Sequence, residues 1–414
     1  MRTRLLGLGL LVASACTGSI DGTAGGDDVV QPPATDVQLV VRDGFTPQAG
    51  VRVIFQDATD AVLSDTVTDT TGMAKFTMDT GNVTVVRTFP LLPPPAPRRA
   101  PEITTYVGVK AGDKLVLGDA TSNGTPGAIV VKVPDGANGT VKVETPCGSG
   151  QGTPPNIAIT VTDCPAMVDF YVTDGDQSSF FKRMPYAGNV DLSGETLSGA
   201  LAATIAATNV LPNTAVNVEE RVVTGTFPLF SSGQKRVDQN PATVNLPNLT
   251  GVDQLIVTMI QPGTGGTQMI GARSAYAASP VVVDAGADLI PYVTATPTYA
   301  PTGVSWTESG AGDADAVIVT LQVTRGGPPT GDDTYARAII APHTGLMLRM
   351  PQLPDARYNP VMMDQIAGNH GLVKATGGYD AIRAGVFSVG NVVETAALDG
   401  KVTLSYAGNT PPGL

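Results

Sequence analysis

Side chains suited to acid–base or metal chemistry are few in this sequence. The chain has 414 residues but only two histidines, His343 and His370, and one tryptophan, Trp306. It has neither the Gly-x-Ser-x-Gly elbow of serine hydrolases nor the HExxH and CxxC patterns of zinc sites. Both histidines stand beside glycine, proline or asparagine, a context typical of surface turns. The sequence therefore predicts that the protein is not an enzyme and has no cofactor.

Paired aspartates are the remaining candidates for metal binding or carboxylate catalysis. Calcium takes about six to eight oxygen ligands from converging loops. Asp174 and Asp176 are the first, weak, candidates, because the polar residues 177–179 follow them. A solvated turn explains them more simply, since aspartate and glycine are favoured there. Two acids brought to glycosidase-like separation would instead indicate an enzyme.

Aromatic residues make up only 5% of the chain. A flat carbohydrate-binding platform needs a row of exposed rings, and this composition does not favour one. Trp306 lies two residues after Val304, the spacing of a strand with one buried face. We therefore expect Trp306 in a β-sheet core.

The N-terminal residues resemble the signal of a bacterial lipoprotein. Arg2 and Arg4 precede the apolar run 5–12, which is about half the length needed to span a bilayer. The small residues Ala13-Ser14-Ala15 then precede Cys16. The resemblance implies a signal peptide over 1–16, lipidation of Cys16 and anchoring in the bacterial outer membrane. Ala13-x-Ala15 also suits an ordinary signal peptidase, which would make the protein secreted.

Charge and composition limit the kinds of binding partner that the sequence predicts. Residues 17–36 are small, polar and turn-forming, as in a flexible tether. The formal net charge is −12 and basic residues form no cluster, so nucleic acid is not an expected partner. The expected partners are membrane lipid, through Cys16, and a polysaccharide or protein of the envelope or exterior.

An odd number of cysteines in an exported chain requires an explanation. The three are Cys16, Cys147 and Cys164. If Cys16 takes lipid, the other two are left to form a disulfide in an oxidising compartment. The alternative is that both are buried free thiols.

Apolar and polar residues alternate from residue 37 onward, which predicts half-buried strands. Turn signals separate these strands, among them Pro47-x-x-Gly50-Val51 and Asp69-x-x-Gly72. This order of strands and turns resembles carboxypeptidase-regulatory-like and bacterial Ig-like domains over about residues 37–118. The resemblance implies a β-sandwich and leaves function open. The apolar positions are Val37, Leu39, Val41, Val51, Val53, Phe55, Ala74, Phe76, Met78, Val83 and Val85.

Strand patterns continue to the C-terminus, so the fold class is all-β. The proline-rich break at 90–101 is either a linker or, as we prefer, a long loop within the first domain. Residues 148–155 read as a Gly/Pro-rich loop, and 193–209 as a strand or a short helix. The predicted β units are 37–118, 119–222, 223–300 and 301–414, arranged as tandem Ig-like or prealbumin-like sandwiches.

This organisation predicts a lipid-anchored envelope protein with a binding or adhesion role. A purely structural spacer is the alternative, and a carboxylate-based enzyme such as a glycosidase is a further one.

Overall fold

The computed structural model describes residues 36–43, 46–89, 100–118, 126–162, 164–174, 178–199, 289–310, 312–325 and 334–384 with their side chains. Between 201 and 284, at 386–387 and at 401–407 it describes the strands. The predicted lipidation residue Cys16, the signal 1–16 and the tether up to residue 35 lie outside the described residues. No helix in the described part is long and apolar enough to cross a membrane.

The first unit forms eight strands, and the alternating positions listed above fall in or beside β1, β3, β5 and β6. β1 pairs antiparallel with β5 and parallel with β8, while β3 pairs with β4 and β6. β6 pairs antiparallel with β7, so the proline-rich break joins two paired strands, as the preferred loop interpretation requires. The strands are β1 (Asp36–Asp43), β2 (Thr46–Pro47), β3 (Arg52–Gln56), β4 (Val62–Val67), β5 (Met73–Thr77), β6 (Thr80–Arg87), β7 (Glu102–Lys110) and β8 (Lys114–Leu117).

The Asp-x-x-Gly turn between β4 and β5 has a local cause. Asp69 Oδ1 accepts hydrogen bonds from the backbone N–H groups of Thr71 and Met73, at 2.8 and 3.0 Å. Gly72 has a φ of +74°, and a Cβ there would lie 2.5 Å from the carbonyl oxygen of Val41. Only glycine fits this position, because the left-handed backbone and the close approach both exclude a side chain.

Residues 127–199 form a sheet of their own, in the order β15-β9-β12-β11-β10-β13-β14-β16. Alternate residues of its strands pack into one core that includes Val143, Ile159 and Phe170. The strands are β9 (Gly127–Lys132), β10 (Val141–Thr145), β11 (Gly148–Gly152), β12 (Asn156–Val161), β13 (Met167–Thr173), β14 (Ser178–Pro185), β15 (Val190–Asp191) and β16 (Ser198–Gly199).

The loop predicted at 148–155 is partly wrong, because its first five residues form β11. Glycine suggested a loop, but here it permits close strand packing: a Cβ on Gly148 would lie 1.9 Å from the carbonyl oxygen of Thr160 in β12. The predicted disulfide is present. Cys147 and Cys164 are bonded, with their Cα atoms 5.1 Å apart, and Cys147 is buried in the core of this sheet.

We predict that the double variant Cys147→Ala/Cys164→Ala lowers the free energy of unfolding of this sheet by about 3 kcal/mol, the chain-entropy value for a loop of this size. Urea unfolding with and without reductant measures the effect. Reductant should destabilise the wild type and leave the variant unchanged. An identical urea midpoint for both oxidised proteins would contradict the prediction.

The ambiguous segment 193–209 contains strands rather than a helix: it contributes β16 and all of β17. β17 pairs with β21 and, in parallel, with β24, whereas β18, β22 and β23 form consecutive antiparallel pairs. The strands are β17 (Leu201–Thr208), β18 (Ala215–Thr224), β19 (Phe227–Ser231), β20 (Lys235–Val237), β21 (Ala242–Leu246), β22 (Asp253–Gln261), β23 (Thr267–Ala275) and β24 (Val281–Asp284).

The C-terminal part adds short strands, three long strands and one helix. They are β25 (Tyr292–Val293), β26 (Thr298–Ala300), β27 (Gly303–Ser305), β28 (Glu308–Ser309), β29 (Ala316–Thr324), β30 (Thr334–Pro342), β31 (Met347–Arg349), a 3₁₀ turn (Ala356–Tyr358), β32 (Gln365–Ala375), α1 (Gly378–Ala384), β33 (Val386–Phe387) and β34 (Lys401–Ala407).

A 13-stranded sheet contains strands from all four predicted units. Its order is β19-β18-β22-β23-β34-β32-β29-β30-β7-β6-β3-β4, with β20 beside β18. β7 and β30 pair in parallel, which joins the strands near the two ends of the chain. The all-β fold class predicted from the sequence is confirmed.

The middle of this sheet is buried on both faces. Successive residues of β29 enter different cores: Ala316 and Ile318 face β1, β8 and α1, whereas Val317 and Val319 face the segments 290–306 and 350–358. Side chains on those covering segments are therefore held against a rigid sheet.

Candidate functional site

The chain's two histidines and its single tryptophan are far apart in sequence but lie close together in the structure. They meet beside the core that the 13-stranded sheet forms with the segments 290–306 and 350–358, which we call the second core. Trp306 follows β27 and Glu308 lies in β28, on a covering segment. His343 follows β30, and His370 lies in the middle of β32, between β29 and β34. We call Trp306, Glu308, His343 and His370 the imidazole–indole cluster.

Glu308 holds the cluster together. Its Oε1 accepts a hydrogen bond from Trp306 Nε1–H and lies 2.9 Å from His343 Nε2. This contact joins an imidazole nitrogen to a carboxylate oxygen, so the two side chains form a hydrogen bond. The Trp306 ring lies 4.3 Å from the His370 ring and 6.4 Å from the His343 ring, between centroids. Both imidazoles thus lie close to the indole.

His370 is not the surface-turn residue that the sequence predicts. Its side chain is 1% exposed, and neither ring nitrogen has a hydrogen-bond partner among the described residues. Burial, with a smaller contribution from the nearby His343, lowers the pKa of His370 from its ordinary 6.5 to about 4. Asn369 and Gly371 are residues typical of turns, but here they lie inside a strand. β32 is paired with β29 on one side and with β34 on the other, and this pairing keeps the segment extended.

His343 is half-buried beside Glu308 rather than free in a surface turn. Trp306 is 6% exposed, as its predicted core position requires. Glu308 was missed by the sequence analysis. The available signal was its spacing, because residues two apart in an extended chain point to the same side.

The low pKa of His370 predicts a pH-dependent stability. The unfolded chain binds a proton at this residue below about pH 6.5, whereas the folded chain does so only below about pH 4. The contribution of His370 to the free energy of unfolding is therefore greatest above pH 6.5. It falls by about 3 kcal/mol in total as the pH decreases to 4.

Urea unfolding of the wild type and of His370→Phe between pH 4 and pH 7 measures this dependence. We expect the variant to lose less stability over that interval, and His343→Gln to retain most of the wild-type slope. Parallel pH profiles for the wild type and His370→Phe would refute the assignment.

Residues of the cluster hold an exposed apolar turn, which we define as residues 344–347. It follows β30 and ends on Met347, the first residue of β31. Leu346 is 50% and Met347 is 70% exposed. The turn is fixed at both ends: His343 N–H donates to Asp315 O, and Trp306 N–H donates to Leu346 O, each at 3.1 Å. Met347 also pairs with Ser305. Two large apolar side chains are thus presented to solvent from a fixed backbone.

Only one of the two predicted calcium candidates belongs to the described residues. Asp174 follows β13 and its Oδ1 is buried without a hydrogen-bond partner, while Asp176 lies outside the described residues. Within the described ranges, no group of three or more His, Cys, Asp or Glu side chains is placed to hold a metal ion.

No protein-family model matches the sequence, and no curated protein sequence matches it. Among solved structures, the Bacillus anthracis TIE protein is similar over 61% of this chain and 50% of its own length, at 14% identity and a TM-score of 0.16. A mutant of Salmonella alpha-2-macroglobulin is similar over 87% of this chain and 28% of its own, at 8% identity and a TM-score of 0.11. This chain spans half of the first protein and less than a third of the second, and TM-scores this low define no shared fold.

Proposed function

We propose that this chain is an envelope protein, anchored by lipid on Cys16, that binds a partner through its β-sheet domains and performs no catalysis. The observation that carries the binding role is the exposed turn 344–347. The all-β fold is compatible with a binding or structural role. Anchoring rests on the lipoprotein-like N-terminus.

The turn has the properties of a recognition surface. Leu346 and Met347 extend into solvent, where large apolar side chains gain free energy only when a partner covers them. The backbone beneath them is already ordered by Trp306 and His343, so binding costs little further conformational entropy. Methionine adapts its shape to the surface it contacts. A protein surface in the envelope is therefore the partner that this turn suits best, ahead of a polysaccharide.

The imidazole–indole cluster is better suited to holding the turn 344–347 in place than to catalysis. The Nε2 atom of His343 lies within hydrogen-bond distance of Glu308. His370 is buried and uncharged at neutral pH. Both imidazoles thus pack near Trp306.

We predict that Leu346→Ser/Met347→Ser weakens binding to envelope material about tenfold, because two apolar contacts are lost. Co-sedimentation with outer-membrane vesicles and with purified cell-wall sacculi of the producing bacterium measures the affinity. The matched control is Met362→Ser/Met363→Ser, since these methionines are also exposed but lie on another turn. Wild-type chain that binds neither material would favour the structural spacer over a binding protein.

We predict that native membrane-extracted protein starts at Cys16 and carries a diacylglyceryl or triacyl mass increment, and that Cys16→Ser lacks it and leaves the membrane fraction. Intact-mass spectrometry and cell fractionation measure both. An unlipidated wild-type chain in the medium would show a secreted protein instead, without affecting the test of the turn.

A further inference from the structure

β4 is an end strand of the 13-stranded sheet, and it is paired on one side only. Its neighbour is β3, and no strand in the described part of the chain pairs with its outer edge. Such an edge is a template for an added strand, and proteins commonly protect it with lysine, proline or a covering segment. β4 has neither lysine nor proline, and Val62, Leu63 and Val67 are 45%, 43% and 55% exposed.

The backbone of β4 is available for pairing. Thr68, the next residue, donates its N–H inward to Val51 O at 2.9 Å. Successive N–H groups of an extended strand point to opposite sides, so the N–H of Val67 points outward. The charge within the strand, Asp65, is neutralised by Arg52 of β3 at 2.6 Å. The outer edge therefore combines free backbone groups with apolar side chains.

Both ends of β4 are acidic. Residues 57–69 contain four aspartates and no lysine or arginine. Asp60 is paired with Arg349 and Asp65 with Arg52, whereas the described structure pairs Asp57 and Asp69 with no cation. Hydrogen bonds from Thr59 and Thr71 hold the pKa values of Asp57 and Asp69 below their usual range, so both are ionised at neutral pH.

These two carboxylates remain available to a partner. Oδ1 of Asp57 accepts from Thr59 and from Ala61, and Oδ1 of Asp69 accepts from Thr71 and Met73. In both residues Oδ2 has no hydrogen-bond partner in the described structure.

We propose that the outer edge of β4 binds one extended segment of a partner protein, with apolar residues in its middle and lysine or arginine at both ends. The peptide backbone pairs with β4, its apolar side chains cover Val62, Leu63 and Val67, and its basic ends face Asp57 and Asp69. At about 3.4 Å per residue, a segment of about eight residues reaches from one acidic turn to the other.

A second copy of this chain suits the edge poorly. Antiparallel pairing of two β4 strands would place the acidic turn at 57–60 of one copy near Asp69 of the other. The net charge of −12 opposes that approach as well. A basic partner meets no such repulsion, so charge complementarity selects the occupant.

The test uses the purified full chain and a fluorescent peptide, Lys-Val-Thr-Val-Thr-Val-Ser-Lys, with fluorescence anisotropy at low salt as the readout. The same peptide with glutamate at both ends is the charge control. Val67→Pro removes one outward N–H without touching the β3 pairing. Asp57→Asn/Asp69→Asn removes both charges and keeps each Oδ1 as an acceptor for its turn. Asp135→Asn/Asp191→Asn makes the same charge change on exposed residues of the β9–β16 sheet.

The lysine peptide should bind the wild type and the Asp135/Asp191 variant equally. We expect Val67→Pro to weaken binding about tenfold and Asp57→Asn/Asp69→Asn about three- to tenfold, and added salt to weaken it further. Equal binding of the glutamate peptide, unchanged binding to Val67→Pro, or no peptide binding would overturn the proposal. A chain dimer in sedimentation velocity that Val67→Pro abolishes would overturn it too, because the occupant would be a second copy. The Leu346/Met347 variant should bind the peptide normally, which separates this test from that of the turn.

Discussion

Parallel pairing of β7 with β30 is the constraint on which the described architecture depends. β7 belongs to the N-terminal strands and β30 to the C-terminal ones, so backbone hydrogen bonds between them merge two strand groups into one sheet. Each strand also has an antiparallel partner on its other side, β6 and β29. Strands that are paired on both sides can be buried on both faces, because the sheet supplies partners for their backbone groups. Two cores form as a result, and the imidazole–indole cluster lies in one of them.

Arg337 shows how tightly the second core is tied to this pairing. It lies in β30 opposite Ile103 of β7 and is 1% exposed. Its guanidinium donates to the carbonyl oxygens of Tyr358 and Pro351, on the segment that covers the sheet. Burial lowers the pKa of Arg337 to about 10, which keeps it charged at neutral pH. A buried cation is costly unless it is hydrogen-bonded, so the covering segment is held where those carbonyls can reach it.

The two proposed binding surfaces differ in what makes them rigid. The turn at 344–347 is apolar and is held by backbone hydrogen bonds of Trp306 and His343. The edge of β4 is supported by its pairing with β3 and by the carboxylate of Asp60, which binds Arg349 and accepts the Gln352 N–H at 2.8 Å. The first surface suits a side-chain contact and the second a backbone contact.

Much of the local structure was determined by the sequence alone. The period-two alternation identifies the strands, the Asp69–Gly72 turn follows from backbone sterics, and Trp306 is buried as its spacing predicts. These features depend on neighbours within a few residues, which is why a sequence reveals them. Which strand pairs with which was decided only by the tertiary structure. The alternation of apolar and polar residues marks a buried face but does not specify the neighbouring strand. The burial of His370 and the open edge of β4 follow from non-local pairing, so no local pattern could predict them. The spacing of Glu308 from Trp306 is local, but its contact with His343 is not.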